Sequence, residues 1–440
     1  MNHKTTRRQL LQTTSVLAGF QILPSGLLAN SPNGKLCTAH IGVGGKGSTD
    51  TRSIASDSRS EVLGLCDIDS NRLESAAKIY KDTQTFQDYR EMLTSLGDKI
   101  DAVSISTPDH THYPATLAAM EMGKHVYTQK PLTNNLAEAR HLMEVAREKK
   151  VVTQMGIQNK STYGYRMSKR FIQDGIIGKV SKVYVWSFKD WGYDGEPYKG
   201  EDPVPDYLDW NLWLGSAPVH PFLKGKYHPG NWRRIIDFGC GTLGDMGIHI
   251  FDTPFDALAL TAPTWVKTEC RKPNHFSLPT KNVVKYGFEG TQYTTKDFEW
   301  IWYDGKYAPP KPEGNPDLEL PDDLELPRQG AMFVGEKGRM LLPHIAGPQF
   351  FPKSIYKTLV KPDIPTKVNH YTQWMDAIYG KGDAPSANFD YAAPMCETVL
   401  LGVVAGRFPG KTLNWDGCKM ECTNLPEANQ YVAKRKLRKY

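Results

Sequence analysis

Cysteine is sparse in this chain. Seven of 440 residues are Cys, at 37, 66, 240, 270, 396, 418 and 422, and none forms a Cys-x-x-Cys. An odd, scattered set excludes a disulfide framework and a zinc knuckle. Cys418 and Cys422 have metal-like spacing but no second pair, so they read as structural. Long apolar runs are also missing. The stretch 15–29 is interrupted by Gly19, Pro24 and Gly26, which excludes a stable transmembrane helix. Neither sign of charge dominates: 54 basic residues face 48 acidic ones, for a net charge of +6. The signs are interleaved, which argues against a nucleic-acid surface, and the one basic run, 434–439, reads as a solvated end. No internal repeat is visible.

What is present is a globular composition, 40% hydrophobic and 23% charged, long enough for two domains. The chain divides into a signal region, 1–33, a nucleotide-binding domain, 34–157, and a second domain, 158–440, that ends in helices. Arg7-Arg8 precedes the mildly apolar stretch. Paired arginines in that order resemble a twin-arginine export signal, which implies a periplasmic or otherwise exported protein.

Residues 36–41 form an apolar strand that runs into Gly42-Val43-Gly44-Gly45-Lys46-Gly47. In this Gly-x-Gly-x-x-Gly, Gly42 allows the tight turn, Gly44 lets the backbone approach a pyrophosphate, and Gly47 permits close helix–strand packing. Gly45 lies in the same loop. A helix over 49–56 and a strand over 61–66 follow. Asp67 closes that strand, about 20 residues after the last glycine, where an acid meets the adenosine ribose hydroxyls. Its charge would repel a 2′-phosphate, so the expected cofactor is NAD rather than NADP. Asp69 reads as the N-cap of a helix over 71–80. Strands over 101–106, 125–128 and 151–155 alternate with helices over 111–122 and 136–149, giving a doubly wound α/β sheet. Its carboxyl-end loops hold Thr107, Pro108 and His112, then Gln129 and Lys130, all expected to contact the cofactor.

Beyond about residue 158 the alternation stops. Strand-like runs follow one another at 180–189, 264–271, 283–288, 293–303 and 331–342. Several alternate apolar with polar, which predicts an α+β domain with an open, mainly antiparallel sheet backed by helices. Its other face is the expected surface for a homo-oligomer. Residues 190–232 are rich in Trp, Tyr, Gly and Pro and precede a helix carrying Asp245 and His249. They are expected to wall a substrate pocket, with Trp191, Tyr193, His228, Trp232 and Arg233 as contacts. Residues 308–327, dense in Pro and acids, read as a surface excursion. Helices over 371–379 and 392–405 complete the chain.

The glycine loop, Thr107-Pro108, Gln129-Lys130-Pro131, the run from Asp245 to Asp252 and Asn388-Phe389-Asp390-Tyr391 together resemble the Gfo/Idh/MocA oxidoreductases. The resemblance covers nearly all of the chain after the signal region. It implies that Lys130, Asp245 and His249 are the catalytic trio. The family's Glu-Lys-Pro stands here as Gln129-Lys130-Pro131, which removes a carboxylate beside the lysine and is expected to alter its proton affinity.

The chemistry of the residues agrees. Hydride removal from a carbinol needs a base on its hydroxyl and a cation to steady the alkoxide. Asp245 and His249, four apart, share one helix face, and Gly244 and Gly247 are expected to keep that surface open. Asp245, His249 and Asp252 could geometrically hold a metal, but no further His or Cys supports one, so none is expected. The leading expectation is an NAD-dependent oxidoreductase acting on a secondary hydroxyl of a sugar, polyol or glycoside, with its cofactor retained. The alternative is an NAD-catalysed glycosidase or lyase working by transient oxidation and elimination. A third reading, a non-catalytic nucleotide sensor, conflicts with an intact trio.

Overall fold

The computed structural model describes residues 34–440, apart from 312–313, 316–317, 319–323 and 355. The expected twin-arginine signal and the apolar stretch behind it lie outside the described residues.

The first half is a six-stranded parallel sheet. Its strands are β1 (Leu36–Ile41), β2 (Ser60–Cys66), β3 (Gln84–Phe86), β4 (Ala102–Ile105), β5 (His125–Gln129) and β6 (Thr153–Gly156). Their order, β3-β2-β1-β4-β5-β6, reverses direction at β1. That switch point opens a crevice at the strands' carboxyl ends, where a dinucleotide binds in such sheets. β1 is buried along its whole length, as a strand with helices on both faces must be. β3 and the helix Tyr89–Leu96 that follows were not among the sequence expectations. The helix is capped by the Asp88 carboxylate, which accepts from Arg90 N.

The second half carries a nine-stranded sheet. Its strands are β7 (Val180–Ser187), β8 (Trp265–Glu269), β9 (Val283–Gly287), β10 (Thr294–Asp304), β11 (Gln329–Gly335), β12 (Gly338–Pro343), β13 (Gln349–Phe351), β14 (Thr412–Asp416) and β15 (Glu421–Cys422). The order is β13-β12-β11-β7-β10-β9-β8-β14-β15. Every pair is antiparallel except β7 with β10. The run expected as one strand over 331–342 is a hairpin, β11 and β12, folded at Glu336-Lys337 with Gly335 opposite Gly338.

β7 shows how alternation sorts the two faces. Val183 and Val185 join the main core, while Tyr184 and Trp186 join a separate cluster on the opposite face. The described residues of 308–327 depart from the surface excursion that the segment's composition suggested. Leu318 is fully buried in that outer cluster, with Leu324 and Leu326 packed against it. The apolar residues among the prolines and acids decide the outcome, because together they cover a hydrophobic sheet face.

The basic run 434–439 is only in part a solvated end: Lys434, Lys436 and Lys439 are exposed, but its arginines are tied down. Arg435 forms a two-pronged pair with the fully buried carboxylate of Glu138, at 2.8 and 2.6 Å. A buried carboxylate needs such a partner, and the forked guanidinium matches its geometry.

Candidate active site

Loops at the carboxyl ends of the parallel strands line a cleft of about 480 Å³. Gly42, Gly44, Gly45, Asp67, Thr107, Pro108, Gln129 and Lys130 from the first domain all border it, as do His228, Trp232 and Arg233 from the second. Gly47 and His112 act from behind. A Cβ on Gly47 would lie 1.7 Å from the Gly42 carbonyl oxygen, so only glycine lets the helix Lys46–Ala55 approach the loop this closely. His112 is buried, with ring nitrogens 2.7 Å from the Pro131 carbonyl oxygen and 2.8 Å from that of Thr107. Burial pushes its pKa down to about 4, so the neutral ring donates its single N–H to one of these carbonyls and only packs against the other.

The glycine loop suits a dinucleotide. Gly45 has a φ of +53° and open space where a side chain would stand, so its backbone is bare towards the cleft. Asp67 braces the loop: one carboxylate oxygen accepts from Val43 N and Gly44 N, at 3.0 and 3.1 Å. The other oxygen accepts from Asp69 N. Burial raises the Asp67 pKa against these hydrogen bonds. A carboxylate has about four acceptor positions, so capacity for a ribose hydroxyl remains. Asp69 caps the helix Ser70–Ala77, accepting from Asn71 N and Arg72 N. Sequence reasoning missed Arg72, which lines the cleft and pairs with Asp69 at 3.3 Å.

Gln129 explains its own departure from the family pattern. Its amide donates to the buried Asp50 carboxylate at 2.8 Å, and Asp50 also receives Ser106, Tyr371 and Lys46. A glutamate at 129 would set a second carboxylate against the first.

Lys130 reaches across from the end of β5 to the second domain. Its ammonium donates to the Asp245 carboxylate at 2.7 Å and to the Asp245 carbonyl oxygen at 2.8 Å. Arg233 donates to the same carboxylate oxygen at 3.2 Å, and its guanidinium carbon lies 4.4 Å from the Trp232 ring centroid and 5.3 Å from that of Trp191. Burial alone would raise the Asp245 pKa. Lys130 and Arg233 outweigh it and hold the carboxyl below the ordinary range.

The helix expected at 245–249 begins as a π-helical turn, Leu243–Gly247, and continues as the α-helix Ile248–Ala257. Such turns are frequent at functional sites. Gly244 does not open the surface as expected: a Cβ there would lie 2.0 Å from the Cβ of Cys240, so the glycine serves close packing. His249 follows one turn after Asp245. Burial, then the charge of Lys130, lowers its pKa well below the ordinary value, so the ring is neutral. Its buried Nδ1 has no hydrogen-bond partner among the described residues. Asp252 turns away from the trio, accepting from Tyr391 Oη at 2.6 Å and from Lys160 at 3.2 Å. No metal-holding cluster occurs among the described residues.

Several site groups were not singled out from sequence. Asp109 is buried in the cleft lining, and burial pushes its pKa up to about 7 against the charges of Arg233 and Lys130. His344 lies with its ring 5.8 Å from that of His249, and its Nδ1 is 2.9 Å from Tyr165 Oη. Lys189 follows β7 and its charge acts on both imidazoles. The signal for Asp109 was available in the loop 106–112. His344 and Tyr165 lie on sequence-distant elements that only the fold brings together.

Much of 190–232 packs on itself, while Trp232 and the adjoining Arg233 reach the cleft that Lys130 also lines. The segment forms a small core around Trp210, Trp213, Tyr227 and Trp232. That core lies against the first domain, where Asp209 N donates to Ile68 O and His228 approaches Asp69 at 3.5 Å. His228 therefore stands at the adenosine end of the cleft. The Tyr193 ring packs on Tyr198 and Phe276 and is not among the cleft-lining residues.

Comparison with known proteins agrees with this geometry. Residues 37–157 match the NAD-binding Rossmann fold of an oxidoreductase family, and residues 164–291 match that family's C-terminal α/β domain. The chain belongs to the Gfo/Idh/MocA oxidoreductase family. It is an NAD-binding enzyme family, with sugar and polyol dehydrogenases among the relatives. Levoglucosan dehydrogenase of Pseudarthrobacter phenanthrenivorans is 23% identical over 197 residues, 43% of this chain and 42% of that protein. Myo-inositol 2-dehydrogenase of Thermotoga maritima is 22% identical over 232 residues, 50% of this chain and 65% of that protein. The matched regions thus span less than two thirds of either relative. An inositol dehydrogenase homologue from Azotobacter vinelandii, solved with NAD+, superposes with a TM-score of 0.60 at 17% identity, over 87% of this chain and 97% of that one. This Gfo/Idh/MocA member therefore shares their two-domain fold.

Proposed function

We propose that the chain oxidises a secondary hydroxyl of a sugar, polyol or glycoside and keeps its NAD bound through many turnovers. The hydride is returned either to a second carbonyl compound, which is reduced to its alcohol, or to the same substrate after an elimination or inversion step. The observation that carries this reading is the Lys130–Asp245 pair. It joins the end of β5 to the π-helical turn and sets a cation beside a neutral imidazole. NAD, when bound, supplies the hydride acceptor. The chain's residues then handle the proton and the charge. Neutral His249 accepts the hydroxyl proton, while Lys130 stabilises the charge that grows on the substrate oxygen. Asp245 fixes the lysine's position and balances its charge. Trp191, Trp232 and Arg233 form the flank available to a sugar face.

Retention draws support from two directions. Leu212, Trp213, Pro229, Gly230 and Trp232 roof the cleft, and the Arg7-Arg8 sequence points to export, into a compartment with little free NAD. Export through the twin arginines belongs to the same proposal. Replacing Arg7 and Arg8 by Lys should leave the protein in the cytoplasm, and unchanged export removes this part. A homo-oligomer is also proposed, through parts of the nine-stranded sheet other than the outer face of β7, which the chain's own Leu318, Leu324 and Leu326 cover. A single-chain mass in light scattering removes it.

The test of function is to purify the protein without added nucleotide, dialyse it at length, and offer a carbohydrate panel. Turnover without added NAD is expected. Apo protein that works only with free NAD, releasing stoichiometric NADH, overturns retention and leaves an ordinary dehydrogenase.

A further inference from the structure

The segment 434–440 crosses from one side of the cofactor cleft to the other. Arg435 anchors it to Glu138 on the helix Leu136–Lys149. Three residues on, Arg438 grips the roof. Its guanidinium donates to the carbonyl oxygens of Asn211, Gly215 and Ala217 at 3.0–3.1 Å and to the Asn211 side chain at 2.8 Å. Its backbone N donates to Ser216 O. These carbonyls lie at and just beyond the C-terminal end of the short helix Trp210–Leu214, where a cation fits; Asn211 O also accepts from Gly215 N. Tyr440 then returns to the first domain. Its hydroxyl lies 3.1 Å from that of Tyr89, its carbonyl oxygen accepts from Arg90 at 2.6 Å, and its ring centroid lies 4.1 Å from the Arg90 guanidinium carbon.

Tyr440 lines the cleft together with Gln87, Asp88 and Tyr89. These residues follow β3, on the side where Asp67 and Ile68 close β2. Asp67 N donates to Phe86 O, so the two strand ends are adjacent. In this fold that is the adenosine end of a bound dinucleotide.

We propose that residues 434–440 form a strap that sets how slowly NAD leaves. Tyr440 completes the adenosine wall, and Arg438 and Arg90 are positioning residues that hold the wall and the roof together. The proposal rests on the retention reading above and supplies its structural means. Arg438 carries most of the connection, since it ties four groups of the roof to a segment that is otherwise fixed to the first domain.

The experiment compares wild type with Arg438→Ala, Tyr440→Ala and Tyr440→Phe in the full chain. NAD release is followed after mixing the loaded protein with an enzyme that consumes free NAD. Binding of AMP and of nicotinamide mononucleotide is measured separately by calorimetry. Both alanine variants should release NAD roughly tenfold faster or more, as expected for loss of charge-assisted or wall contacts. AMP affinity should fall with NAD affinity while nicotinamide mononucleotide affinity holds, and Tyr440→Phe should lie between wild type and Tyr440→Ala. Release within twofold of wild type in both alanine variants overturns the strap. So does equal loss of AMP and nicotinamide mononucleotide binding, because that reports general unfolding. Fast release from wild type, with still faster release from the variants, supports the strap and removes the retention reading instead.

Discussion

Gln129 and Asp50 show how a change of one atom type is absorbed by its neighbours. The amide–carboxylate contact at 2.8 Å is buried on both sides. Gln129→Glu would replace a donor by a second acceptor carrying like charge. We expect it to cost about 1–3 kcal/mol, the range for a buried polar group left without its partner. Asp50→Asn in the same chain should recover much of that loss by restoring a donor. The introduced carboxyl is stabilised in its protonated form, so the cost should shrink as the pH falls and grow as it rises. Denaturant midpoints at pH 5 and pH 8 check the sign, and equal losses at both would reject the contact as the cause. At the reacting centre, His249→Ala and Lys130→Ala should each lower turnover about a hundredfold or more, as for other positioned acid–base groups. For His249 the affinity for NAD should change less than turnover. Lys130→Ala leaves the Asp245 carboxylate with Arg233 alone, so the Asp245 pKa should rise from its depressed position. Near-normal turnover in either variant takes that residue out of the mechanism.

At the scale of elements, the glycine loop and the end of β2 act as one unit, because the Asp67 carboxylate binds the loop's own amides. Asp67→Ser should therefore weaken NAD and also narrow its advantage over NADP. Arg72, already at the cleft, then meets a 2′-phosphate without the opposing carboxylate. A charge-assisted contact of about 1.5–3 kcal/mol corresponds to roughly ten- to hundredfold in relative affinity. Fluorescence titration of both nucleotides measures it, and an unchanged preference would show that neither Asp67 nor Arg72 reads that position. Much of the first domain was legible because buried parallel strands are short apolar runs punctuated by glycine and acid. β3 was not, since two of its three residues are exposed and it has no alternation to read. The hairpin at Glu336-Lys337 read as one strand because both arms are apolar, although Gly335 and Gly338 mark the turn. Residues 190–232 were expected as a substrate wall; their small core around Trp210 and Trp213 against the first domain was not legible, because aromatic content reports burial without saying against which partner.

Among the described residues five histidines are buried, at 40, 110, 112, 125 and 370. Burial lowers their pKa values to about 3 for His40 and about 4 for the others. Below the ordinary value of about 6.5 the unfolded chain binds protons that the folded chain refuses, so stability is lost as pH falls towards 4. Asp109 and Asp304 work the other way. Burial raises both to about 7, and their stabilising effect fades as pH rises through that value. His141, His228, His249 and His344 are lowered as well, and Asp67, Asp101, Asp190, Asp252 and Glu397 are raised as well. The lowered imidazoles still outnumber the raised carboxyls, so thermal midpoints should climb from pH 4.5 to 6.5 and then level. A flat or falling profile in that window would contradict the buried neutral imidazoles. Lys130, Asp245 and His249, the proposed trio, could be named from sequence because they lie in motifs, whereas the surroundings of Asp109, the approach of His344 and the contacts of 434–440 depend on segments far apart in sequence. Hydride transfer at Lys130, Asp245 and His249 remains the central claim. Its most direct test is a single turnover of NAD-loaded protein with carbohydrates deuterated at the carbinol carbons, followed by mass spectrometry of the extracted nucleotide. The account predicts one deuterium on the nicotinamide in wild type and about a hundredfold slower labelling in His249→Ala. A nicotinamide that gains no deuterium while the sugar is converted would contradict it.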